Sequence, residues 1–209
     1  MRLPRLYAIV DAGMLEARRL ALEGFVSELA GAGITLVQYR DKLGTGERVL
    51  QNARKVAEAF RGLEATLVMN DSPELAFEAG WRAVHVGQGD ARVGAARSVL
   101  GPDAMVGAST HNDQQVIEAD RLGADYIAIG PIFATSTKAD HEPVVGLEGL
   151  RRARLLTQRP LVAIGGITAE NAGAVIEAGA DTVAVIGALL CNDATPAEMV
   201  RRFLEAMPR

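Results

Sequence analysis

The sequence predicts an α/β fold, a (β/α)8 TIM barrel formed as a single domain over residues 1–209, and three observations lead there. Eight short runs rich in Val, Ile and Leu alternate with longer amphipathic segments, at a spacing of roughly 20 to 25 residues. The runs are almost continuously apolar, as strands covered on both faces are. No linker, low-complexity tract or charge block divides the chain. A doubly wound sheet is the competitor, but it needs a reversal of strand order that nothing in the sequence marks.

The expected strands, in order, are "LYAIV" from Leu6, "TLVQYR" from Thr35, "TLVMN" from Thr66 and "AVHVG" from Ala83. They continue with "AMVGAS" from Ala104, "YIAIG" from Tyr126, "LVAIG" from Leu161 and "TVAVIG" from Thr182. Between them, Ser72-Pro73-Glu74 supplies a helix cap followed by proline at the first helical position. "TPAE", Thr195 to Glu198, is a capping-box pattern. Helices end at Ala32-Gly33, Ala79-Gly80, Leu122-Gly123 and Ala178-Gly179, each with a strand close behind.

Composition narrows the partners. The 209 residues suffice for a substantial core, and 49% apolar with 23% charged content is that of an ordinary globular chain. A net charge of −4 supplies no global field for nucleic acid or an anionic membrane, so an anionic ligand must be met by local groups. Cys191 is the sole cysteine, which excludes an internal disulfide and fits a reducing cytoplasm. The stretch "MRLPRLYAIVDAG" is too short and too early broken for a signal peptide, and no run approaches the roughly 18 apolar residues of a membrane span. The expectation is a cytoplasmic protein with small-molecule partners and neither nucleic acid nor membrane. A homo-oligomer is compatible with the sequence, which does not set the oligomeric state.

A barrel gathers its chemistry just past the strand C-termini. Strand 2 runs into "QYRDK", with Gln38, Arg40 and Lys42 at alternating positions that share one face of an extended segment. Two cations and an amide there suit a multiply charged oxyanion, Arg as a fork and Lys as a mobile charge. A solvent-exposed strand end is the bland reading of the same residues. Strand 3 ends in Asn70-Asp71, and strand 4 runs through "VHVGQGD" to Asp90. Two carboxylates facing two cations make a Mg²⁺ site in combination, although an Asp after a strand is by itself more often a turn residue. Strand 5 leads to Ser109 and His111, the latter a base or, more commonly in such a place, a structural hydrogen-bond partner. His85, inside an apolar strand, reads as a satisfied core histidine. "IGGI" (Ile164 to Ile167) and "VIGAL" (Val185 to Leu189) put glycines at two consecutive strand ends, where barrels often hold phosphate. After strand 6 a polar tract carries Thr135, Ser136, Thr137 and Lys138 up to about Gly146. Over a barrel mouth holding Arg40 and Lys42, it reads as a lid that brings one more cation and several donors to an anion. The bland alternative is a solvated connector.

The motifs "QxRxK", "ND", "GQxD", "GxSxH", "GADYIxxGPIFxTxTK", "VAIGGI" and "AGADxVAVI", in this order, resemble those of thiamine phosphate synthases, over about Leu6 to Leu190. The resemblance implies coupling of a hydroxymethylpyrimidine diphosphate to a thiazole phosphate, with release of pyrophosphate and a dissociative path. It implies Mg²⁺ on Asp71 and Asp90. Gln38, Arg40, Lys42, Asn70, Ser109 and Lys138 would contact the pyrimidine diphosphate, with Lys138 and Ser109 closest to the chemistry. Thr135, Ser136, Thr137, Gly166, Ile186 and Gly187 would hold the thiazole phosphate. Two positions depart from the family pattern: Ala134 stands where proline is common, and Gly187 where serine is common. A related barrel, a thiazole tautomerase using His111, and a non-catalytic sensor of thiamine precursors are the alternatives.

Overall fold

In the computed structural model, residues 1–89, 92–135, 143–191 and 193–208 are described. Eight parallel strands close a barrel in sequence order: β1 (Leu6–Asp11), β2 (Leu36–Arg40), β3 (Thr66–Asn70), β4 (Ala83–Val86), β5 (Met105–Thr110), β6 (Tyr126–Ile129), β7 (Leu161–Ile164) and β8 (Thr182–Val185), with β8 pairing back to β1. Around them lie α1 (Ala12–Ala17), α2 (Leu22–Gly31), α3 (Gly46–Ala59), α4 (Pro73–Glu78), α5 (Val93–Leu100), α6 (Asp113–Arg121), α7 (Gly146–Leu156), α8 (Ala169–Glu177) and α9 (Pro196–Ala206).

The local signals act as their chemistry requires. Ser72 accepts from the Leu75 amide at 3.1 Å and Pro73 opens α4, while Thr195 and Glu198 close a reciprocal capping box on α9. Gly33, Gly80, Gly123 and Gly179 take positive φ just after α2, α4, α6 and α8, where a side chain would be strained. One connection differs from the simple alternation: β1 is followed by two helices. Asp11 ends β1 and its Oδ1 accepts from the Met14 amide at 2.9 Å, which starts the short α1 before α2 begins.

Side chains alternate across the barrel wall. Ala8 and Val10, Val37 and Tyr39, Ile127 and Ile129 face the helices and join the large outer core with Phe25, Leu29, Leu150 and Phe203. Tyr7, Ile9, Leu36, Val68, Tyr126, Val162 and Ala184 fill the interior. The same alternation carries the inward face of β2 from Leu36 through Gln38 to Arg40, so the interior turns from apolar to polar toward the strand C-termini. Among the described residues, no helix is long and apolar enough to cross a membrane.

Candidate active site

A cavity of about 820 Å³ opens at the C-terminal ends of the strands, and Lys42, Ser109, Thr135, Gly166, Ile186 and Gly187 are among its lining residues. Six of the sequence-expected positions therefore meet in one space, although they come from five different strand ends. Gln38, Arg40, Asn70 and Asp71 lie at the ends of β2 and β3 and are not among its lining residues. Asp90, Ser136, Thr137 and Lys138 lie outside the described residues.

The strand β2 ends at Arg40, so only Gln38 and Arg40 share its inward face by alternation. Lys42 arrives from the turn beyond and forms an ion pair with Asp71, joining the lysine on the cavity wall to the end of β3. Asp71 has φ 66°, the left-handed region that Asp and Asn tolerate best, and its amide donates to the His85 carbonyl at 2.8 Å. That backbone bond ties the Asp71 main chain to β4. The Asp71 carboxylate oxygens are hard donors of the kind Mg²⁺ takes in ones or twos, with substrate phosphates completing the shell. Among the described residues no three carboxylate, imidazole or thiol groups converge, which such a sparse site does not require.

Arg40 is held by a residue that sequence reasoning missed. Strand register pairs Asp11 with Arg40, and the two side chains form an ion pair of which little is exposed. Asp11 thus caps α1 with one oxygen and anchors the guanidinium with the other. The available signal was an aspartate closing the apolar run "LYAIVD".

The glycines after β7 and β8 form another stretch of the cavity wall. Gly166 has φ 65°, and a Cβ on it would lie 2.7 Å from the Ala134 carbonyl oxygen and from Phe133 Cβ. The amides of Ile132 and Phe133 donate to the carbonyls of Ile164 and Gly165 at 2.9 and 3.0 Å. The start of the loop after β6 is therefore pressed directly onto the Gly-Gly turn after β7. Past β8, Gly187 opens a 3₁₀ turn, Gly187–Leu189, whose first amides precede its internal bonds.

The histidines separate by role. His111 Nδ1 lies 2.6 Å from the Gly130 carbonyl oxygen, the structural partnership expected for it. His85 is buried, with Nδ1 3.0 Å from Tyr126 Oη and Nε2 2.8 Å from Ser109 Oγ. It is the satisfied core histidine of the sequence reading, and it also touches a site residue, which spacing alone did not reveal.

Residues 6–189 match the family model described as thiamine monophosphate synthase. The chain belongs to the thiamine monophosphate synthase family. It is 49% identical to a thiamine-phosphate synthase of Koribacter versatilis, over 99% of this chain and 97% of that one. It is 39% identical to that of Chloroflexus aurantiacus, over 90% and 86%. A solved thiamine phosphate pyrophosphorylase from Pyrococcus furiosus superposes with a TM-score of 0.85 at 28% identity, covering 97% of this chain and 94% of the other. That solved structure shares the barrel seen here.

Proposed function

We propose that this chain is the synthase of thiamine phosphate, coupling a hydroxymethylpyrimidine diphosphate to a thiazole phosphate in the cytoplasm. The observation that carries the reading is one cavity joining a lysine of the β2–β3 side to the glycine turns after β7 and β8. Two phosphate-bearing substrates need two such anion sites in one cavity.

In this reading Arg40, Lys42 and Lys138 take the diphosphate, with Gln38, Asn70 and Ser109 on the pyrimidine side. Thr135, Ser136, Thr137, Gly166, Ile186 and Gly187 take the thiazole phosphate. Asp71, with Asp90, would hold Mg²⁺, which when bound supplies positive charge to the diphosphate oxygens. The bond from methylene carbon to diphosphate oxygen breaks, and its electron pair leaves with pyrophosphate. The thiazole nitrogen then gives its lone pair to the methylene carbon. Charge neutralisation, rather than proton transfer, is what such a step asks of the protein. Arg40 and Lys42 answer that demand, and Lys138 would add a third cation.

The direct test is pyrophosphate release from the pyrimidine diphosphate with and without the thiazole phosphate. Thiazole-dependent release with formation of thiamine phosphate is expected. No coupled product with both substrates and Mg²⁺ present sinks the reading. A tautomerase would instead use His111, whose ring is tethered to Gly130. His111→Asn is therefore expected to keep coupling within about tenfold of the parent, the scale of one lost hydrogen bond. Collapse to background in steady-state assays would move His111 into the chemistry.

Gly166→Ala should act on the phosphate wall. The added methyl forces Phe133 and Ala134 outward and disturbs the turn amides, so KM for the thiazole phosphate should rise by about tenfold or more. KM for the pyrimidine diphosphate should change little. Equal changes in both would contradict the assignment of that wall.

A further inference from the structure

Inside the barrel, five polar side chains from five strands form one hydrogen-bonded chain. Gln38 Nε2 donates to Tyr7 Oη at 2.8 Å, and Tyr7 Oη lies 3.0 Å from Tyr126 Oη. Tyr126 Oη lies 3.0 Å from His85 Nδ1, and His85 Nε2 lies 2.8 Å from Ser109 Oγ. Register sets up the crossing: His85 pairs with Gly107, and Gly107 with Tyr126. A Cβ on Gly107 would sit 2.0 Å from Tyr126 Cζ, so the missing side chain is what lets that ring lie against the imidazole, stacked at 5.5 Å.

We propose that this chain sets the hydrogen-bond polarity with which the site reads the pyrimidine, making Tyr7, Tyr126 and His85 positioning residues for specificity toward an amino over an oxo ring. The proposal rests on the functional reading above and names what that reading leaves open.

Each interior member has one hydrogen to give along the chain and one acceptor position to fill. Burial pushes both phenols well above their ordinary pKa, so each keeps its hydrogen. With Gln38 donating, Tyr7 gives to Tyr126, Tyr126 to Nδ1, and the Nε2 hydrogen goes to Ser109. The Ser109 hydroxyl hydrogen is then directed away from the chain. At the other end Gln38 Oε1 has no donor among the described residues. Trp81 Nε1 is the only fully occluded side-chain polar atom without a partner among them, so Oε1 keeps a small exposed surface although Gln38 as a whole is 2% exposed. The two ends thus offer an acceptor at Gln38 and a donor at Ser109. Reversing one end reverses the other, because a mixed state leaves a buried polar atom unpaired. The structure has the first of the two orientations, with Gln38 Nε2 donating inward to Tyr7 Oη. An aminopyrimidine supplies an N–H for Gln38 and a ring nitrogen for Ser109. An oxopyrimidine supplies a carbonyl where the amino group stood, and demands the opposite orientation of Gln38.

The test is calorimetric titration of the 4-amino and 4-oxo pyrimidine diphosphates, with Mg²⁺, into the parent protein, Tyr7→Phe, Tyr126→Phe and Tyr39→Phe. The parent should bind the amino compound tighter by on the order of tenfold or more, the scale of a buried group left unpaired. Both relay variants, cut at different links, should bring the two dissociation constants within about threefold of each other. Tyr39→Phe removes a buried phenol outside the relay and should keep the parent ratio. A loss of packing would weaken both ligands alike and leave the ratio standing. An unchanged ratio in both relay variants overturns the proposal while sparing the functional reading. Failure of the parent to bind either diphosphate overturns both.

Discussion

Asp71→Asn is expected to lower kcat/KM by on the order of 10³ while the protein stays folded. Asparagine keeps what the backbone needs. It tolerates the left-handed conformation at φ 66°, and the bond from its amide to the His85 carbonyl is a main-chain bond. It removes the charge that pairs with Lys42. That pair is partly exposed, with the lysine side chain 49% and the aspartate 25% accessible, so its loss should cost about 1 kcal/mol of stability. Alanine at the same place would add backbone strain and confuse the two effects. Kinetics across a Mg²⁺ titration, beside a thermal melt, separate them. Parent-like turnover at low Mg²⁺ would end the metal assignment, and a large fall in Tm would make Asp71 a structural residue. Asp90→Ala is expected to match the kinetic loss on the strength of the "GQxD" motif.

Arg40→Lys is expected to lower kcat/KM by about 10²-fold, with the larger effect on the pyrimidine diphosphate than on the thiazole phosphate. The guanidinium has five N–H donors, and one end of its fork is spent on Asp11. The remainder can meet a diphosphate from a side chain already held in place. A lysine ammonium can stay with Asp11 or reach the substrate, but its single nitrogen does not span both. Arg40→Ala has a second consequence. It leaves the Asp11 carboxylate, with only 7% of its side chain exposed, without its cation, and stability should fall by about 3 kcal/mol. Asp11→Asn in the Arg40→Ala background should recover part of that stability and none of the activity. Urea denaturation of the single and double variants reads the first effect, and steady-state kinetics the second. Equal kinetic losses for both substrates would place Arg40 in the wrong half of the site.

The sequence by itself determined the barrel, the eight strand runs and which strand-end residues to look for at the mouth. Strand runs such as "TLVMN" and "YIAIG" are local signals, set by burial on both faces. The caps at Ser72 and Thr195, and the glycines after α2, α4, α6 and α8, answer to orphan backbone groups of the same helix. Lys42, Ser109, Thr135, Gly166, Ile186 and Gly187 could be named early because a parallel barrel sends every strand end to one mouth. Only the tertiary structure decided how those residues are held. The anchoring of Arg40 by Asp11 depends on β1–β2 register, and the link from Gln38 to Ser109 passes through Tyr7, Tyr126 and His85, which the sequence pattern describes merely as core. Hydrophobic periodicity records which face a residue takes. It does not record which inward residue of another strand lies opposite, because that depends on barrel closure and on the space left by a glycine such as Gly107.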